Sequence, residues 1–320
     1  MSTLAERQNS PRALELLAAQ RWTYSRAKLF RAVRVVASAG LAVAAPIAAT
    51  WSPSISVYLA AAGGVVGLIA QLLGQPHEKK LMRRAAHVQD QFDSLIFDFA
   101  PRRDTDVVDE ETAAAAKRCR GRDGLRDWYM TTAALPDQHM ALLAQRSNLV
   151  WNMRQRKQYA VVVGVALGAL LVVDVMVGWN MPTASWLVAL FIPSLPGFTH
   201  GVEVIRDQLS AKGQEVCALV EVERLWDAAK SDLASPSPEA LRGVQDLLLR
   251  LRAEHAPVPD WLHRHLRSDF QTNARSALDK RVTDFEQCER ATQSTSSASG
   301  ESTTVPDHSA ALDHAPGASG

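Results

Sequence analysis

Two long stretches of this chain carry almost no charge, and they constrain its fold more than any other feature. No Asp, Glu, Lys or Arg occurs from Val35 to His77, and from Gln158 to Val202 the only one is Asp174. A helix on the surface of a soluble protein needs a polar face, and neither stretch supplies one. Whole-chain figures hide this. Lys and Arg number 35 against 34 Asp and Glu, and the mean hydropathy of −0.09 is that of an ordinary soluble protein. The even balance identifies no partner by itself, and no direct DNA or RNA binding is expected.

A membrane-crossing helix takes about 20 mostly apolar residues, so each stretch has room for two. The first breaks at "TWSPS", residues 50–54, where Ser-Pro signals a turn and Trp51 suits a membrane interface. Spans are therefore expected at 33–49 and 55–73. The second breaks at "GWNMPT", residues 178–183, giving spans at 159–177 and 183–198. The fourth is short and holds Pro193 and Pro196.

The flanking charges test this layout independently. Arg21, Arg26, Lys28, Arg31 and Arg34 precede the first span, and Lys79, Lys80, Arg83 and Arg84 follow the second. Arg146, Arg154, Arg156 and Lys157 precede the third, Arg206 and Lys212 follow the fourth, and the two inter-span loops are uncharged. The positive-inside rule then puts the N-terminus, the middle segment and the C-terminus in the cytoplasm. The expected fold class is an all-α integral membrane protein with four transmembrane helices in two hairpins. The core of a large soluble bundle is the competing reading. A cleaved signal peptide fits worse, because the apolar stretch starts about thirty residues in and a second follows at once.

The expected organisation is a cytoplasmic N-terminal helix (1–32), a first hairpin (33–74), a helical middle segment (75–157), a second hairpin (158–199), a helical C-terminal segment (200–288) and a disordered tail (289–320). Helix signals support the cytoplasmic parts. Ser10 and Pro11 fit the N-cap and first turn of a helix running into span one. A helix continuing span two stops at Pro101. "TDVVDEETAAAAKRCRG" has acids first, bases last and Gly121 as a stop, matching the helix dipole. "PDQHMALLAQRSNLVWNMRQRKQY" leads into span three. A helix is expected from 201 to 233, another starts at Ser237, Pro238 and Glu239 and ends before Pro257, and "VPDWLHRHLRSDF" opens the last. From Arg290 on, Ser, Thr, Ala and Gly show no apolar period, which reads as disorder.

No catalytic signature is present: no P-loop, GxGxxG, GxSxG or HExxH. The expectation is a protein that is not an enzyme and takes no cofactor or metal. His263 and His265 point about 200° apart on a helix, so they are poor joint ligands. Cys119, Cys217 and Cys288 lie far apart without CxxC spacing and read as reduced cytosolic thiols.

Three features merit a functional reading. On the helix entering span three, Gln145, Asn148, Asn152, Arg156 and Tyr159 fall within about 80° of arc. They form either a solvated face or inter-helix polar seam, or part of a ligand site in which Arg binds phosphate bidentately. Arg102, Arg103, Arg118, Arg120, Arg122 and Arg126 add positive potential nearby in sequence. Asp174, near the outer end of span three, is either an interfacial carboxylate close to water or a pore-lining or partner-contacting group. Gly63 with Gly67, and Gly164 with Gly168, carry the spacing that lets membrane helices approach closely, within the bundle or between protomers.

The blocks "LAAQRWTYSRAK", "VQDQFDSLIFDF", "LRDWY", "AQRSNLVWNMRQRKQY", "IPSLPG" and "VPDWLHRHLRS", in this order around four spans, resemble the S-4TM family. These are bacterial four-transmembrane, pore-forming effectors associated with second-messenger nucleotide synthetases. The resemblance covers roughly residues 10–285. Its blocks here are Phe92 and Asp93; Asp127, Trp128 and Tyr129; Gln145, Arg146 and Asn148; Trp151; and Pro259, Asp260 and Trp261. The chain departs from the family at Ala100-Pro101, where members often have Pro-Trp, so no tryptophan role transfers there.

The resemblance implies an anti-phage defence effector in the bacterial inner membrane, multi-pass with both termini cytoplasmic. A cyclic oligonucleotide second messenger would bind on the cytosolic side, with Arg146, Trp128 and Tyr129 joining the polar stripe as candidate contacts. The spans, partnered by the lipid bilayer and by other copies in a homo-oligomer, would then permeabilise the membrane. The alternative class is a constitutive small channel, transporter or membrane scaffold, tolerated by the cell without a trigger.

Overall fold

The computed structural model describes residues 2–51, 58, 61, 62, 65, 74–100, 102, 108–121, 124–231 and 233–300, with backbone alone at 34, 37–39, 41–43, 45–51, 189, 193, 196 and 295–300. Most of the second expected span with its Gly63 and Gly67, the turn at 52–54, Arg103 and Arg122 lie outside the described residues. So does the end of the chain beyond Gly300. Among the described residues the architecture is all-helical.

The helices are α1 (Leu4–Gln8), α2 (Pro11–Trp51), α3 (Gln75–Phe97), α4 (Asp109–Arg118), α5 (Asp137–Gly178), α6 (Thr183–Trp186), a π-helical turn (Leu187–Phe191), α7 (Ile192–Ser231), α8 (Pro238–Glu254) and α9 (Asp260–Gly300). Local chemistry explains most ends. Thr3 and Glu6 form a reciprocal capping box that starts α1, a helix the sequence reading did not anticipate. The Ser10 hydroxyl accepts from the Ala13 amide at the start of α2. Ser237 does the same from Ala240 at the start of α8, with Pro238 in the first turn. The α3 helix ends on left-handed Asp98, one residue after Phe97. The α4 helix has Asp109, Glu110 and Glu111 in its first turn and Lys117 and Arg118 in its last, and Gly121 beyond it has φ +77°.

Two helices run unbroken from the cation-rich segments into the expected spans. They are the 41-residue α2 and the 42-residue α5. At 1.5 Å per residue each is about 60 Å long, twice the roughly 30 Å hydrocarbon thickness of a bilayer. Their N-terminal portions pack with α3, α4, α7, α8 and α9 around one core that buries Phe92, Ile96, Leu142, Leu149, Trp226 and Leu248.

The apolar part of α5 behaves differently. Among the described residues it is the one helix long and apolar enough to cross a membrane, and only 11% of its most apolar window is buried. Val165 is 68% exposed and Met176 72% exposed. A soluble core helix of this composition would be buried on all sides, and this one is not. The fourth expected span is helical throughout but not one regular helix. Pro193 has no amide hydrogen to donate four residues back. The preceding turn widens to a π-helix, in which the Ile192 amide bonds to the Leu187 carbonyl.

Three sequence expectations need correction. The helix after the fourth span begins at Ile192 rather than near 201, so it is one piece with that span. The tail does not lose structure at Glu289, because α9 continues to Gly300. Side chains there bond back to their own helix, as Thr292 does to the Cys288 carbonyl and Ser294 to that of Ala291. Asp174 is not a carboxylate close to water. It is fully buried, and neither carboxylate oxygen has a hydrogen-bond partner among the described residues. It packs beside Ser194, whose hydroxyl donates to the Phe191 carbonyl, and its own backbone carbonyl accepts from Trp186.

The glycine pairs are also redistributed. A Cβ on Gly164 would sit 3.9 Å from Ile205, and one on Gly168 would meet nothing within 4 Å. The close helix approach lies instead at Gly201, where a Cβ would fall 2.7 Å from Leu167, and at Gly178 against Trp186. Among the described residues, therefore, nothing packs closely on Gly168.

A basic, aromatic-lined cavity beside the third span

The N-terminal half of α5 lines a cavity of about 850 Å³. Its other walls come from α2, the Met82–Gln89 side of α3, the loop 124–130, the end of α8, the loop after it, and α9. Along α5 it extends from Leu143 to Arg156, stopping just before the apolar span begins.

Its electrostatics are one-sided. Arg21, Lys28, Arg126, Arg146, Arg154, Arg156, Arg252, Arg264, Arg267 and Arg281 line it, against the carboxylates Asp127 and Asp260. Several of these cations are held from behind by acids outside the cavity. Arg146 donates to Glu223 at 2.7 Å and Arg281 donates to the same carboxylate at 2.6 Å. Burial opposes ionisation of Glu223, yet the two guanidinium bonds keep its pKa below the usual carboxylate value. Arg156 donates to Glu215 at 2.8 Å and to Gln208 at 3.1 Å. Lys28 is paired with Asp260. Arg126, Arg264 and Arg267 have no carboxylate partner among the described residues and leave the cavity with excess positive charge.

Behind the cavity lies a buried network that orients its polar wall. Asp93 is fully buried and accepts from Tyr129 at 2.7 Å, Gln245 at 2.9 Å and Arg252 at 2.6 Å. Asn148 donates to the same Tyr129 hydroxyl at 2.8 Å. Burial, then the Asp93 charge, drives the Tyr129 pKa well above the ordinary phenol value. Burial similarly pushes Tyr24 up to about 12, so both tyrosines are neutral hydrogen-bonding groups. For Arg252, burial is outweighed by Asp93 and its pKa is raised, so it remains a cation. One of its terminal nitrogens, Nη1, is held by Asp93, while Nη2 is buried with no partner among the described residues. Arg252 is among the lining residues, and a buried guanidinium nitrogen without a partner is a donor left to be satisfied.

Aromatic surface completes the lining. Trp151 packs on Phe270 with ring centroids 4.2 Å apart and stands edge-on to His263 at 5.0 Å. Trp128, Tyr129 and Tyr24 line another part. Burial, then Lys28, lowers the His263 pKa, with Asp260 opposing. Such rings offer stacking faces to a heterocycle, and the arginines offer bidentate contacts to phosphate.

The sequence-derived candidates divide on this map. Arg146, Asn148, Asn152, Arg156, Trp128 and Tyr129 all line the cavity, and Asn152 makes no hydrogen bond among the described residues. Gln145 does not line it. It is fully buried and donates to the Leu241 carbonyl and to Gln245, joining α5 to α8. Tyr159 is buried beside Val204 and Leu262. The stripe is therefore an inter-helix seam at Gln145, Arg156 and Tyr159 and a cavity wall at Asn148 and Asn152, with Arg156 serving in both. Of the cations near in sequence, Arg126 reaches the cavity, Arg102 is engaged by Asp90 and Asp246, and Arg118 lies over Trp22. Arg252, Arg264, Arg267, Arg281 and Asp93 were not singled out as site residues. Arg264 and Arg267 lie in the cation-rich "WLHRHLRS" block and Asp93 is the acid in "QFDS", while nothing local marked Arg252 or Arg281.

No described group of three or more His, Cys, Asp or Glu is arranged to hold a metal ion. Asp174, Gly164 and Gly168 lie apart from the cavity, in the apolar half of α5.

Comparison with known proteins agrees with this layout. The chain is 25% identical over 285 residues to a protein of Bacillus cereus (strain VD146) described as a "Probable CBASS effector molecule", covering 81% of this chain and 92% of that one. No solved structure matches the chain. The family model of the SMODS-associating 4TM effector domain matches residues 2–281, and the chain belongs to that family.

Proposed function

We propose that this protein is a membrane-embedded effector of bacterial anti-phage defence, which binds a cyclic oligonucleotide in the basic cavity and responds by permeabilising the inner membrane. Family membership and the description of the Bacillus relative as a CBASS effector support the defence role. The observation that carries the ligand reading is the cavity itself. Excess cations, an unpartnered Arg252 nitrogen and several aromatic faces converge in a volume suited to a small ligand. That volume is far too small for a DNA or RNA duplex.

The cavity wall and the third span are one unbroken helix, which supports coupling between them. A ligand held between α5, α8 and α9 would displace α5 relative to α7 and carry that motion into the span. Moving an equilibrium from 1:99 to 99:1 takes about 5.5 kcal/mol of differential affinity. Two or three charge-assisted contacts at about 1.5–3 kcal/mol each supply that. Asp174, buried with the Ser194 hydroxyl beside it, would regain solvation if the span turned it toward water. It would then place a carboxylate beside the ion path.

The test uses full-length protein in liposomes carrying a membrane potential. Cyclic oligonucleotides should bind with an affinity that falls steeply with salt and should collapse the potential. Arg146→Ala and Arg126→Ala should weaken both. Tight binding with the potential intact would remove the permeabilisation step. A potential lost equally without any ligand would favour a constitutive channel.

A further inference from the structure

The α7 helix has two apolar faces, and the fold uses only one. Val204, Ala211, Ala218, Val222 and Trp226 point into the protein and are 5% exposed or less. On the opposite side Leu195, Val202, Leu209 and Val216 recur at intervals of seven residues, with Val220 one turn further on. They are 43%, 49%, 50%, 43% and 65% exposed. Gly213 sits within the same stripe, and a Cβ there would meet nothing within 4 Å. An ordinary surface helix would carry charges on this side, as α3 does with Lys79, Lys80 and Arg83. Here Arg206 is the one charge between Leu195 and Val220 on the stripe.

Lipid can cover only the beginning of this stripe. If the fourth span ends near Phe198, Val220 lies 22 residues further along a continuous helix, about 33 Å beyond the hydrocarbon. We propose that the stripe is the contact between two copies of this chain, whose α7 helices lie side by side and parallel about an axis normal to the membrane.

Three observations favour a second copy over another occupant. The partner must follow α7 in one line from inside the bilayer into the cytosol. It must match a seven-residue apolar repeat, which is the spacing at which two helices wind round each other. And a membrane holds every copy in one orientation, so α7 of a neighbour presents the same stripe in register, as a two-fold contact requires. Gly213, and Cys217 at the stripe's edge, let the backbones come close. The inference rests on the reading that the chain spans the membrane. It adds a route for regulation, because the other face of α7 bears Gln208 and Glu215, which hold the cavity's Arg156, and Glu223, seven residues after Val216 just beyond the end of the stripe, holds Arg146 and Arg281. Ligand site and protomer contact thus share one helix.

The experiment is disulfide trapping of full-length protein in native membranes. The background carries Cys119→Ser, Cys217→Ser and Cys288→Ser. Single cysteines at Leu209 and Val216, on the stripe, should give a dimer-sized product under mild oxidation. One at Gln214, exposed but off the stripe, should not. In a separate arm with the native cysteines, Val216→Glu combined with Val220→Glu should weaken self-association by at least about a hundredfold, since each copy would have to bury unpaired carboxylates. Both positions are exposed in the protomer, so folding should be unaffected, as circular dichroism would check. Equal trapping at Gln214, no trapping on the stripe, or a product whose mass is not that of two chains would overturn the proposal. Release of the protein by alkaline carbonate would instead sink the membrane reading beneath it.

Discussion

Arg252→Met tests whether the polar network behind the cavity is as dry as its burial indicates. The guanidinium donates to Asp93 at 2.6 Å, and the two side chains are 7% and 0% exposed. Removing one member of such a pair leaves an uncompensated buried charge, at a typical cost of about 3–5 kcal/mol. Asp93 would retain the Tyr129 hydroxyl and the Gln245 amide as donors, so the loss should lie near the lower end, about 3 kcal/mol. For a protein of this size that corresponds to about 4–5 °C in melting temperature, read from tryptophan fluorescence in detergent or nanodiscs. Asp93→Asn should cost a similar amount by stranding the Arg252 cation. The double variant Asp93→Asn with Arg252→Met should lose less than the two single losses added, with a coupling of at least about 1.5 kcal/mol. A single-variant loss under about 1 kcal/mol, the range of exposed ion pairs, or additive losses in the double variant would show that water screens the pair. The account of a rigid wall orienting Tyr129 and Asn148 would then fail.

Gly201→Ala should destabilise the protein by about 1–3 kcal/mol through overpacking against Leu167, whereas Gly168→Ala should be neutral or slightly stabilising; thermal melts of the two variants compare them directly. His263 has a lowered pKa and is neutral at pH 7. Its contribution to stability should be complete above about pH 6.5 and lost as pH falls through its lowered folded value. Phosphate bound beside it would favour its protonation, so oligonucleotide affinity should rise over the same interval. His263→Gln should flatten that rise in a titration at several pH values. A cysteine at Asn180 should react with a membrane-impermeant thiol reagent in intact cells, and one at Gln91 should not. The reverse pattern would invert the topology.

Charge distribution alone was enough to read an all-helical chain with apolar, charge-free segments flanked by cations, because the cost of an unpaired polar group in hydrocarbon depends on composition and not on tertiary detail. The start of α2, the chemistry of α4, the continuity of α5 and the start of α8 were legible for a similar reason: capping and dipole effects act within one turn. Part of the cavity was legible too, since Asn148, Asn152 and Arg156 share one helix face, and Arg146, Trp128 and Tyr129 stood in the family's blocks. The rest depended on contacts between residues far apart in the chain. Nothing in the local sequence says that Asp93 meets Arg252, that Gln145 turns to the α8 backbone instead of the cavity, or that Arg264, Arg267 and Arg281 complete its wall. Asp174 is the clearest case. Its position near the end of a span suggested water, yet the π-helical turn before Pro193 brings Trp186 and Ser194 against it and buries it, because burial is set by the neighbouring helix and not by the residue's own place along the span.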